Sequence, residues 1–173
     1  MLHIEYNDFE RSIGPRIRAA EIHWFFVQGS VCHRQELYFA SCTTFLCGIE
    51  AALRFTVTQF SGNNDLSRNQ VLSNKLIREA DQIGLPIDKL AFSNESDFLR
   101  NLKSSGSNQV NVEIVRNRHN VCHGNCADFV EAIPETDDSI LTPECLRQLS
   151  TELLRISEEW IPDLASFRRS MDR

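Results

Sequence analysis

A chain of 173 residues with 42% hydrophobic content is long enough to bury one sizeable core. Its formal charge of −6 and pI near 5.4 exclude a protein that coats nucleic acid by bulk electrostatics. No apolar run approaches the roughly 20 residues of a membrane span, and Met1-Leu2-His3-Ile4-Glu5-Tyr6 carries no export pattern, so the expectation is one cytoplasmic domain over residues 1–173 with reduced thiols.

The apolar positions Ile17, Ala20, Trp24 and Val27 predict a first helix over 17–27, with Gly14-Pro15 as its start or a kink. A second helix is expected over 35–60. Leu37, Phe39, Phe45, Leu46, Ile49, Leu53 and Phe55 make it apolar on most faces, as a buried central element is. The polar run 61–65 reads as its end. Val71, Leu72, Leu76, Ile77, Ala80 and Ile83 predict a third helix over 69–83, closed by Gly84-Leu85-Pro86. Asn94 is placed to cap a short helix containing Phe98, Leu99 and Leu102, before 104–107 break the chain.

A helix over 109–124 follows, its pattern able to run on through Phe129 to Ile133. The alternation Val110-Asn111-Val112-Glu113-Ile114 reads as its first turns, since β-branched residues tolerate a helix when packing demands it. Residues 134–141 read as an acidic loop. Thr142-Pro143 opens a last helix with Leu146, Leu149, Leu153, Leu154, Ile156 and Trp160, kinked or ended by Pro162. The sum is an all-α bundle of about five to six helices, with most aromatic residues in its core and none assigned to base stacking.

One segment carries more chemistry than packing requires. Val115 to Gly124 holds Arg116, Asn117, Arg118, His119, Asn120 and His123 between apolar residues. Arginine is a permanently charged fork suited to phosphate oxygens, and imidazole moves protons near neutrality. Together they are the minimum apparatus for cleaving RNA by attack of its own 2′-hydroxyl, a reaction that needs no metal or other cofactor. Between 100 and 124 the charged residues are Arg100, Lys103, Glu113, Arg116 and Arg118, a positive island in an acidic chain.

Arg118-His119-Asn120-Val121-Cys122-His123-Gly124 resembles the signature of the HEPN superfamily, in which an arginine and a polar residue precede a histidine by a short spacer. A looser spacing also admits Arg116-Asn117 with His123. The resemblance implies a small helical, metal-independent endoribonuclease of toxin, toxin–antitoxin or antiviral-defence type. It also implies a homodimer with a composite site, and an antitoxin or other regulatory protein. It assigns Arg118 and His123 as the catalytic pair, aided by His119. The residues beside them add Arg116, Asn117 and Asn120 for substrate binding, Glu50 as a supporting acid and Gly124 as a supporting position that lets the chain turn or approach substrate closely.

A helical wheel at about 100° per residue puts Arg116, Asn120 and His123 on one face with His119 beside them, and Arg118 elsewhere, near Ile114, Val121 and Cys122. Arg118 could reach around on its long stem, pair with a buried acid such as Glu50, or act across a dimer. Zinc is the rival chemistry, since His119/His123 and Cys122/Cys126 are each four apart and Cys32-His33 or Cys42/Cys47 could complete a set. That spacing lacks the tight loop pairs of structural zinc sites, and no metal ligands are assigned. His23 and His33 read as capping or surface residues. Arg168, Arg169 and Arg173 read as a helix end complementing the dipole, with RNA backbone contact as a weaker reading. The alternative to an enzyme is a non-catalytic helical module that dimerises or binds a nucleotide or protein partner.

Overall fold

The computed structural model describes residues 5–17, 20–61, 71–104, 106 and 109–171. The expected polar turn at 62–65, the first residues of the expected helix at 69, part of the break at 104–107, and Arg173 lie outside them. Among the described residues are seven α-helices: α1 Asp8–Ile17, α2 Ala20–Arg34, α3 Tyr38–Phe60, α4 Asn74–Gln82, α5 Phe98–Lys103, α6 Glu113–His123 and α7 Arg147–Met171. The expected all-α bundle is therefore present. No helix among these is long and apolar enough to cross a membrane.

The bundle is built around α3, which packs against α2, α4, α6 and α7. Phe45, Leu46, Ile49, Ala52 and Leu53 are fully buried along it, opposite Phe26 of α2 and Leu153, Ile156 and Trp160 of α7. Two glycines let α2 and α3 approach closely. A Cβ on Gly29 would meet the Phe45 ring at 2.8 Å, and one on Gly48 would meet Phe25 at 3.0 Å. Trp160 buries its ring and satisfies its indole by donating from Nε1 to the Pro86 carbonyl at 2.8 Å.

Several boundaries differ from the sequence expectation, each for a local reason. The helix expected over 17–27 is α2 Ala20–Arg34. A helix not expected from the sequence, α1 Asp8–Ile17, precedes it and contains Gly14-Pro15; it starts where Asn7 and Glu10 form a reciprocal capping box, each side chain accepting from the other's backbone N–H at 2.8 Å. Residues 35–37 are a turn instead of the start of α3. Leu37 N–H bonds Cys32 O and Glu36 N–H bonds His33 O, with Glu36 at φ 59, a Schellman ending without glycine. Val71 and Leu72 precede α4, which Ser73 caps by accepting from Leu76 N–H at 3.3 Å.

The alternating stretch before α6 is not helical, and Val112 at its end is extended, with φ −65 and ψ 154. Its partner is Asn74, fully buried on α4. The Asn74 amide donates to the carbonyls of Asn101 and Val110, and its oxygen accepts from Val112 N–H. After α6 the chain turns at Gly124 and does not continue as helix to Ile133; a 3-10 turn, Cys126–Phe129, leads into the strand β1 Glu131–Ala132. β1 pairs antiparallel with β2 Ser139–Ile140, so the expected loop is a short hairpin. α7 continues past Pro162 to Met171. The aromatic residues are not all core: Trp24, Phe39 and Phe55 are exposed.

His33 is neither a cap nor a plain surface residue. Ser41 spends its hydroxyl proton on Gly29 O and Ser150 spends its own on Ser41, so His33 Nδ1 must be the donor to Ser150 Oγ at 2.8 Å. Burial, and then the Arg147 charge, pushes the His33 pKa below the ordinary value of 6.5.

Two outcomes follow. Asn74→Ala would strand the Val112 N–H and take one donor from each of the Asn101 and Val110 carbonyls, which Ser104 still bonds, and is expected to lower stability by about 1–3 kcal/mol in urea unfolding. His33 has a depressed folded-state value, so the unfolded chain binds the extra proton as pH falls below about 6.5. Its contribution is complete above that pH and lost on acidification towards the folded-state value. Urea midpoints at pH 7.5 and 5.5 should show a smaller acid-induced drop for His33→Gln than for the parent chain.

Candidate functional site

One face of the last two turns of α6, bearing His119, Cys122 and His123, is exposed, and the helix ends just beyond it. Gly124 sits at φ 72, its N–H and that of Asn125 both bonding back to Asn120 O, and a Cβ added to Gly124 would meet nothing within 4 Å. The other end of α6 is held from outside. Val112 offers no side-chain cap, and Glu95 supplies one by accepting from Glu113 N–H at 2.8 Å. Burial raises the Glu95 pKa, only partly offset by the N–H groups of Glu113 and Phe92.

Between those ends, Ile114, Val115 and Val121 bury against the core and turn His119, Cys122 and His123 outward. Arg118 lies in the seam between α6 and α3. Its Nε donates to Glu50 Oε2 at 3.1 Å, with side chains only 18% and 14% exposed. Its Nη1 lies 3.3 Å from Nε2 of His123. A guanidinium has no lone pair to offer, so in this contact Nε2 is the acceptor. The His119 ring stands 4.7 Å from that of His123, centroid to centroid, tilted by 48°. The wheel argument that separated Arg118 from His123 fails because the long stem spans the angle the backbone leaves.

Glu50 is the hub of this arrangement. Besides Arg118 it accepts from Leu72 N–H at 2.9 Å and lies 3.7 Å from Arg54 Nη1, one turn further along α3. Cys47, one turn before Glu50, is half-buried. Burial raises its thiol pKa, with smaller upward contributions from the neighbouring Cys122 and from the Glu50 carboxylate, and Arg118 offsets part of the shift, so it stays protonated at neutral pH.

Arg118, His119, His123 and Glu50 are thus brought together. The other sequence candidates are engaged elsewhere. Arg116 turns back to Glu113 at 2.8 Å. Asn117 is buried and donates to Glu113 O in its own helix, and Asn120 is buried and donates to Asp128 at 2.7 Å. Sequence reasoning did not select Arg54 or Asp128. The i,i+4 spacing of Glu50 and Arg54 was a usable signal for the first; Asp128 lies beyond the helix end, where no periodicity reaches. Among the described residues, no group of three or more His, Cys, Asp or Glu is arranged to hold a metal ion. The side chain of Cys126 lies outside them.

Comparison of the chain with known protein families, with curated proteins and with solved structures finds no match.

Glu50→Ala would leave Leu72 N–H unpaired and Arg118 without its acid in a half-dry seam. The expected cost is about 2 kcal/mol in urea unfolding. Glu113→Ala removes the ion-pair partner of the exposed Arg116 and should cost below about 1 kcal/mol.

Proposed function

We propose that this chain is a metal-independent endoribonuclease that cuts RNA through its own 2′-hydroxyl. The observation that carries the reading is the contact between Arg118 Nη1 and His123 Nε2 at an exposed helix end. An exposed imidazole whose Nε2 is engaged only by a guanidinium becomes a base once a phosphodiester draws that N–H away, and the guanidinium is then a fixed cation for the phosphate.

In this mechanism His123 takes the 2′-hydroxyl proton, and the freed oxygen attacks phosphorus. The bond to the 5′-oxygen breaks as that oxygen receives a proton, leaving a 2′,3′-cyclic phosphate and a 5′-hydroxyl. His119, whose ring lies against that of His123, is the second imidazole for the proton delivery or for orienting the first. Arg118 has five N–H donors. One faces Glu50 and one faces His123, and the remainder suit the non-bridging oxygens on which charge builds. Glu50 fixes the guanidinium, so its orientation is set before substrate arrives. Arg116, Asn117 and Asn120 are secondary in this reading, because their side chains are occupied by Glu113 and Asp128. Resemblance to the HEPN superfamily adds a homodimer with a composite site and a toxin or defence role in the cytoplasm under an antitoxin or regulator.

A second reading, a non-catalytic module that dimerises or binds a nucleotide or protein, is favoured by one observation: Arg118 is mostly buried and ion-paired, as a purely structural arginine would be.

The test is cleavage of end-labelled RNA by purified protein in excess EDTA, with the products assayed for cyclic phosphate. Activity is expected to persist. His123→Ala and Arg118→Ala should each lower the rate about 100-fold or more, and Arg116→Ala far less. No cleavage of any RNA, or equal rates for parent and His123→Ala, returns the chain to the binding-module reading.

A further inference from the structure

The seam that holds the Arg118–Glu50 pair also holds two thiols. Cys47 lies one helical turn before Glu50 on α3, and Cys122 lies one turn after Arg118 on α6, so each shares a helix face with one half of that ion pair. These two turns meet across the seam, because Cys47 has Cys122 as well as Glu50 and Arg118 for electrostatic neighbours. The thiols differ in access. Among the described cysteine side chains Cys122 alone is exposed, and Cys47 is half-buried. Cys42 is sealed in the core with its pKa pushed up to about 12 by burial, and Cys145 is engaged in the Thr142 cap.

We propose that Cys122 and Cys47 form a reversible disulfide when the protein meets a hydroperoxide, a modification site that locks the end of α6 onto α3. It goes beyond the ribonuclease reading and stands without it. Cys122 reacts first because peroxide reaches it from solvent. With hydrogen peroxide the O–O bond breaks, one oxygen joins the Cys122 sulfur as a sulfenic acid, and a water leaves. The Cys47 sulfur then attacks that of Cys122. Its proton departs with the hydroxyl as a second water, the S–S bond closes, and the peroxide has taken two electrons from the two thiols. Burial, with the Glu50 carboxylate beside it, keeps Cys47 protonated at rest, so closure is the slow step; Arg118 is the cation that favours the attacking thiolate. His123 adjoins Cys122, so the lock acts on the exposed helix end that bears both imidazoles.

Peptide mapping without reductant, after reduced protein is treated with hydrogen peroxide, tests the site. The expected product has lost two hydrogens, joins the Cys47 peptide to the Cys122 peptide, and is reversed by dithiothreitol. Its urea midpoint should stand about 1 M above that of the reduced protein. Cys47→Ser should stop at a Cys122 sulfenic acid that dimedone captures, and Cys122→Ser should form no bridge. Closure should quicken about tenfold per pH unit just above neutrality, since the Cys47 thiolate is the attacker. A bridge from Cys122 to Cys126 or to a second copy, no bridge at all, or an oxidised midpoint no higher than the reduced one overturns the proposal without touching the ribonuclease reading. Failure of the reduced parent to cut RNA overturns that reading and leaves the disulfide standing.

Discussion

One carboxylate in the seam between two helices governs how this molecule presents its chemistry. Glu50 sits on the most buried helix of the bundle, where an isolated charge would be costly, and it is satisfied from three directions: Arg118 of α6, the backbone N–H of Leu72 ahead of α4, and Arg54 on its own helix. Each of those partners is thereby placed. Arg118 cannot swing into solvent without abandoning an acid that has little water to replace it. The guanidinium is held in a seam and still directs one nitrogen at an exposed imidazole.

The rest of α6 is positioned by polar groups supplied from far along the chain. Asn74 ties down the non-helical segment that leads into it, Glu95 caps its first turn, and Asp128 holds Asn120 near its last. Gly124 then ends the helix abruptly, which keeps His119 and His123 at the surface instead of in a continuing bundle helix. A short, well-anchored helix whose final turns bear exposed imidazoles is a rigid platform, and rigid platforms hold reacting groups more accurately than loops do.

Much of the architecture was readable without coordinates. The apolar run of α3, the register of α4 and the Thr142-Pro143 entry to the last helix all follow from side-chain spacing and caps. The misreadings lie where a tertiary partner overrode the local pattern. Residues 110–112 look compatible with a first helical turn, yet Asn74 offers their backbone better partners in a non-helical form. Glu36 accepts a left-handed backbone that a sequence reader would reserve for glycine. Asn120 looked like a ligand-binding group because nothing in its own helix shows that Asp128 already uses it, and Asn117 turns its amide back onto Glu113 O one turn earlier.

Composition and periodicity by themselves determined that this is a helical bundle with a central apolar helix and a late segment dense in arginine and histidine. These are properties of neighbouring residues on one helix, and helix geometry is regular enough to be read from spacing. Only the tertiary structure decided that Arg118, not Arg116, meets His123, and that the Arg168 guanidinium of α7 stacks on the exposed Phe55 ring. Those facts depend on Glu50, which is 68 residues from Arg118, and on Arg168, which is 112 residues from Thr56. No local pattern encodes which distant side chain a long arginine stem will find, because that is settled by how the helices pack.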